Sequence, residues 1–367
     1  MNKYFLDCAS TTQPYKAVVD VVADVMYNHY GNPSSTHEMG QDARDIIESV
    51  RSQIAEDINC DPDEIIFTSG ACEANSLAFT TSKKVLTSRL EHKSIEIMSK
   101  DSRYFNNDEY GNIILDNDTL CRLSEHGWLV SIHGANSEIG VIQDIKSISK
   151  FVHKYNNIFH VDATQLYPER CINVKELGID LMSVSAQKFH GPKGIGFLYC
   201  KNGIELEPLI SGSQENGRRG GTYNTPSIAG VGKALEINRG ILCNYINVCT
   251  KFNRDELAAK ILEIPGVYLN GPSLDANRLC NNISVRIDGV KANDLVTLAS
   301  MYGLYISAGS ACSSGKAVPS STLKAIGLTD EEALSTIRIT VDETLTQHDI
   351  SDIAKILKGL IERLRES

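Results

Sequence analysis

The chain has 367 residues, 42% hydrophobic and 22% charged, which allows a sizeable core in two or three domains and excludes a disordered or collagen-like chain. Lys plus Arg number 36 against 46 Asp plus Glu. The resulting net charge of −10 argues against a general nucleic-acid or anionic-membrane binder.

In chain order, the start Met1-Asn2-Lys3-Tyr4-Phe5-Leu6-Asp7 has no apolar run long enough for a signal peptide. Val18, Val22, Val25 and Met26 fall at helical spacing, as do Ala43, Ile46, Ile47, Val50, Ile54 and Ile58, so two amphipathic helices are expected around the turn at 31–35. A short strand Glu64 to Phe67 then leads through Thr68-Ser69-Gly70 into a small-residue helix near Ala71. Strand signals at 128–132, 158–161, 181–184 and 195–199 alternate with helix signals such as 145–155. Such alternation predicts an α/β domain with a mostly parallel sheet and helices on both faces. The proline-free stretch from about Ser227 to Ile264 reads as one long helix or two. Beyond Pro265, strands at 267–269 and 282–287 and helices at 294–302 and 353–364 read as a smaller α+β domain. No apolar run reaches about eighteen residues, so no membrane span is expected. The ten cysteines form no CxxC pair and no zinc-ligand spacing. Reduced thiols, mostly in the core, no metal site and a cytoplasmic location are the expectation.

Lys188 stands just past the strand signal at 181–184, followed by the turn Phe189-His190-Gly191-Pro192. A lysine leaving a core strand is costly unless paired or chemically used. The neighbouring strand ends at Asp162, with Gln165 close behind, so both point toward the crevice where α/β sheets place ligands. A Schiff-base lysine and a carboxylate for a ring nitrogen are what pyridoxal phosphate (PLP) requires. The strand-to-helix turn at Thr68-Ser69-Gly70-Ala71 suits its phosphate, because free N–H groups and the helix dipole favour an anion there.

The segment 307–316, Ser-Ala-Gly-Ser-Ala-Cys-Ser-Ser-Gly-Lys, reads as a surface loop with an accessible thiol, Cys312, at its centre. It is not a nucleotide P-loop: one residue too many separates Gly309 from Gly315-Lys316, and Ala317 stands where Ser or Thr should hold magnesium. Arg338, alone in an apolar strand-like run, either pairs with a buried acid or forks onto a substrate carboxylate. His92 by itself reads as an ordinary surface histidine.

Taken together, these residues resemble the NifS/IscS-type cysteine desulfurases of the class V aminotransferase group, fold-type I PLP enzymes. The match is carried by Gly31-Asn32-Pro33-Ser34-Ser35-Thr36-His37, Glu91-His92-Lys93, Glu138-Ile139-Gly140, Val161-Asp162-Ala163-Thr164-Gln165, Lys188 to Gly194, Arg219-Gly220-Gly221-Thr222 and Ser310 to Gly315. It implies a large PLP-binding domain of residues 15–255, and a small domain made of 1–14 and 256–367 that carries the cysteine loop. Lys188 would carry PLP and move protons, Asp162 would pair with the ring nitrogen and Gln165 with the phenolic oxygen. His92 would stack on the ring and share the acid–base steps. Ser185, Gln187, Ala71 and Cys72 would lie at the phosphate, with Thr222 reaching over from the second subunit of a homodimer. Arg338 and Ser137 would bind the substrate L-cysteine, and Cys312 would take its sulfur as a persulfide, releasing L-alanine.

An acceptor protein would then receive the sulfur, with no direct contact to nucleic acid or membrane. The chain departs from the family at Cys8, Cys72, Ser137 and Gln187, where Asn, Thr, Asn and His are usual. Cys8 and Cys72 are expected to be packing residues. The competing readings are a selenocysteine lyase or other same-fold PLP enzyme, and a weakly active scaffold.

Overall fold

Short apolar runs that cannot complete a helix form the centre of the molecule, buried on both faces as a mostly parallel sheet requires. The computed structural model describes residues 2–99, 102–117, 119, 123–124, 126–167, 170–239, 242–309 and 318–366. Its strands begin with β1 (Tyr4–Phe5), β2 (Ile65–Thr68), β3 (Lys84–Thr87), β4 (Arg103–Tyr104), β5 (Asn106–Asn107), β6 (Ile113–Ile114) and β7 (Trp128–His133). They continue with β8 (Ile158–Asp162), β9 (Leu181–Ser185), β10 (Gly196–Cys200), β11 (Val267–Leu269), β12 (Asn282–Ile287), β13 (Leu304–Tyr305), β14 (Ser307–Ala308) and β15 (Thr336–Thr340).

The main sheet has the order β2-β10-β9-β8-β7-β3-β4. From β9 to β4 every neighbour is parallel, while β10 runs antiparallel to both β2 and β9. The fold is therefore α/β, with one reversed strand that the alternation of signals had not revealed. A second, antiparallel sheet has the order β11-β12-β15-β14, and β1 pairs in parallel with β13 beside it. The apolar side chains form two principal cores, one around the main sheet and one around the second. Tyr4 and Leu6 belong to the second core, with Leu257, Ile283 and Ile361.

Helices α1 (Lys16–Asn28) and α2 (Glu38–Ile58) occupy the two expected spans, and Ala43, Ile47, Val50, Ile54 and Ile58 are buried along α2. On α1 only part of the expected stripe is covered: Val18 and Val25 are buried, whereas Met26 faces solvent. The long proline-free stretch is two helices, Thr225–Arg239 and Leu242–Leu262. The cysteines also depart from expectation, since among those described only Cys8 and Cys200 are buried and Cys72 is exposed.

The sheet places its chemistry at the ends of the parallel strands, the usual ligand crevice. Gly70 opens α3 (Ala71–Ala78) with φ of 149°, backbone that favours glycine. A Cβ on the facing Gly196 would lie 2.3 Å from the Val184 carbonyl oxygen and 2.8 Å from Gly70 Cα, so the two strands meet here only without side chains.

The segment carrying Arg219 and Thr222 is fixed from below by Glu215. Its carboxylate accepts from Arg51 Nη1 at 2.8 Å and from the Phe67 main-chain N–H at 3.2 Å, and both side chains are buried. Breaking a buried pair strands the remaining charge, so Glu215→Ala is expected to lower the unfolding free energy by about 3–5 kcal/mol. Chemical denaturation measures this, and a loss below about 1 kcal/mol would mark the pair as solvent-screened.

Candidate functional site

Three stretches distant in sequence converge on Lys188. The lysine ends a single turn, Ala186–Lys188, that continues from β9. Its Nζ donates to the main-chain oxygens of Ala9 at 2.5 Å and Ser10 at 2.7 Å. Burial, with the Arg338 guanidinium adding like-charge repulsion, lowers the amine from 10.5 to about 8; the Asp162 and Asp7 carboxylates act in the opposite direction. Gln165 lines the same cleft, and its Nε2 donates to the Ala9 oxygen at 3.0 Å. Thr12 closes it by donating its N–H and hydroxyl to the main-chain oxygen of Gln187, which enters the site through that carbonyl.

Ser10 also joins the lysine to the arginine, because its Oγ lies 2.8 Å from Arg338 Nη2. The same Nη2 pairs with Asp7 Oδ1 at 2.8 Å, and Nη1 donates to the Ser137 oxygen at 3.4 Å. Arg338 Nε is buried without a partner among the described residues. The arginine thus has the acid partner that one reading of the sequence required.

Asp162 is buried at the end of β8, where it accepts from Asn75 Nδ2 at 2.9 Å and from the Thr164 N–H at 3.0 Å. Ser185 ends β9, and its Oγ is 3.5 Å from where a Cβ on Gly70 would lie, which sets a hydroxyl beside the start of α3 at Ala71 and Cys72. Thr222 lines a pocket with Thr68, Ser69 and Arg219 of the same chain. Arg219 is held there by Glu73 at 2.8 Å. His92 is exposed and caps the short helix α4 (Lys93–Met98), its Nδ1 accepting from the Ser94 N–H at 3.2 Å. Cys312 lies outside the described residues. Cys8 lines the Lys188 cleft as a buried thiol, pushed by burial up to about 12, which makes it inert at neutral pH.

Four participants escaped the sequence reading. Asp7 and Ser10 act by pairing with Arg338 from 331 and 328 residues away, and nothing local announces that. Asn75 left a signal, as a polar residue among the buried Ala74, Leu77 and Ala78 of α3. Glu138 sits in the Glu-Ile-Gly motif with no role attached. Burial raises its carboxyl to about 7, it accepts from Ser320 Oγ at 2.5 Å, and its Oε1 has no partner among the described residues.

The family profile for aminotransferase class-V matches residues 4–353. The chain belongs to the class-V aminotransferase family. Among its class-V relatives is the cysteine desulfurase IscS of Dictyoglomus turgidum, 38% identical over 99% of this chain and 96% of that protein. Cysteine desulfurase IscS 1 of Archaeoglobus fulgidus is 37% identical over 98% and 97%. A solved NifS-like protein superposes with a TM-score of 0.89 at 29% identity, covering 98% of this chain and all of that one. A structure of SspA in complex with cysteine gives 0.77 at 31% identity, over 94% of this chain and all of the other.

The lowered proton affinity of Lys188 predicts reactivity at moderate pH. Labelling of Lys188 by acetic anhydride, read by peptide mass spectrometry, is expected to reach half its plateau near pH 8, where ordinary lysines are still almost fully protonated. Arg338→Gln removes the like charge and should move that midpoint upward. A midpoint above 10 in the wild type would contradict the buried placement.

Proposed function

We propose that the chain is a PLP-dependent cysteine desulfurase that converts L-cysteine to L-alanine and passes the sulfur to an acceptor protein. The observation that carries the reading is the meeting of a lysine lowered to about 8, a buried carboxylate held by two donors and an arginine joined to the lysine through Ser10.

The residues fit PLP on three counts. Lys188 is an amine whose lowered protonation favours bonding to an aldehyde. Asp162 offers an anion on the buried side, suited to a protonated pyridine nitrogen. Gly70 and the first turn of α3, with Ser185 Oγ alongside, leave a cradle of small residues for a phosphate. When bound, PLP supplies an electron sink for a carbanion at the substrate.

In this reading Lys188, Asp162, Gln165 and His92 hold the ring, while Ser185, Gln187, Ala71, Cys72 and Thr222 surround the phosphate. Arg338 holds the substrate carboxylate beside Ser137. Lys188 Nζ, neutral above about pH 8, takes and returns protons at the substrate carbons. Cys312 Sγ attacks the substrate sulfur: the new S–S bond forms, the Cβ–S bond breaks with its electrons remaining on Cβ, and a proton completes the methyl of alanine. The persulfide on Cys312 is the product left on the protein. We further read residues 15–255 as the cofactor domain and 1–14 with 256–367 as the small domain, in a cytoplasmic homodimer.

Alanine and sulfide release from L-cysteine, with a reductant present, tests the function. Wild type is expected to yield both, and Lys188→Ala and Cys312→Ser to lose at least about a hundredfold in rate. A protein that binds PLP but leaves cysteine untouched would overturn the reading. Arg338→Gln should raise KM for cysteine about tenfold or more, the cost of one charge-assisted contact.

A further inference from the structure

Asn75 has no solvent exposure on the inner face of α3. Its Nδ2 lies 2.9 Å from Asp162 Oδ2 and 3.0 Å from Ser94 Oγ, and its Oδ1 is buried with no partner among the described residues. The carboxylate settles the orientation of the amide, because turned over it would set a carbonyl oxygen against Asp162. Asn75 therefore donates both hydrogens, one to each neighbour. Having accepted one, Ser94 Oγ sends its own hydrogen to His92 Nδ1, 2.8 Å away. The Ser94 main-chain N–H, which can only donate, points at the same ring nitrogen. Nδ1 is thus an acceptor twice over, and a neutral imidazole must then carry its hydrogen on Nε2.

We propose that Asn75 and Ser94 are positioning residues, tying Asp162 to His92 by a one-way hydrogen-bonded path that holds the histidine as its Nε2–H tautomer. His92 then offers the cleft a donor. To take a proton on Nδ1 it must turn the Ser94 hydroxyl hydrogen away and leave the Ser94 N–H without an acceptor. The purpose of the path rests on the cofactor reading above; its existence does not.

The apo-protein labelled with ¹⁵N-histidine tests the direction of the path without any cofactor. At pH 8 His92 is expected as the Nε2–H tautomer with Nδ1 hydrogen-bonded. Ser94→Ala should move the Nδ1 resonance and Ser94→Thr, which keeps the hydroxyl, should restore it. A hydrogen on Nδ1, or a resonance indifferent to Ser94→Ala, overturns the proposal.

The dissociation constant of PLP tests the coupling. Ser94→Ala is expected to weaken binding about threefold to tenfold, the worth of one hydrogen bond. In a His92→Phe background the factor should fall below about twofold, as coupled sites require. Equal factors in both backgrounds overturn the coupling. Failure of the wild type to bind PLP would remove the cofactor reading and leave the path to be decided by the imidazole spectrum.

Discussion

The carboxylate of Asp7 decides how the two cores meet. Two basic groups, Lys188 and Arg338, lie close enough for their repulsion to be part of what lowers the lysine. Asp7 lies 2.8 Å from Arg338 Nη2 and accepts from Ser307 Oγ at 2.8 Å, so the arginine is anchored beside the lysine. The residues after Asp7 then cross to the other core. Ala9 N–H donates to Thr340 Oγ1, its carbonyl accepts from Lys188, and Thr12 seals against Gln187. Residues 7–12 therefore serve as a strap whose two ends set the positions of both charged groups.

Beside that strap the lysine is tuned by opposing effects, of which burial is the largest. Burial and Arg338 push toward the neutral amine, Asp162 and Asp7 toward the ammonium, and the balance settles about two orders of magnitude in proton affinity below an exposed lysine. A position at a strand end makes this possible: the rigid main chain of β9 delivers the residue, and the following turn lets Nζ reach the Ala9 and Ser10 carbonyls. The same logic holds at the end of β8. There Asn75 and the Thr164 N–H replace the water that the Asp162 carboxylate has lost.

Lys188, Asp162 and Gln165 were legible in the sequence because each follows a buried apolar run, and a charged or polar residue at such a boundary is marked by its cost. The strands and the paired helices were legible for the same reason: period and burial are local. What stayed hidden depends on partners far along the chain. Arg338 could be read as a structural or a binding residue, and only the fold shows its acid partner, Asp7. The reversal of β10 was invisible because direction leaves no mark on a short apolar run. Cys72 looked like packing until the start of α3 was seen to face outward.

The second core has a consequence for how the chain acquires its shape. Tyr4 and Leu6 pack with side chains as late as Ile361, so this core closes only after nearly the whole chain has left the ribosome. The main-sheet core draws on residues from Val18 to Leu279 and can assemble earlier. Until then the first strand has no place to dock, since β1 pairs with β13 at Leu304 and Tyr305. Contacts of such long sequence separation are slow to form. The strap that completes the cleft is thus made before most of its partners and among the last parts to settle, and a nascent chain passes through a stage with a formed sheet but no closed site.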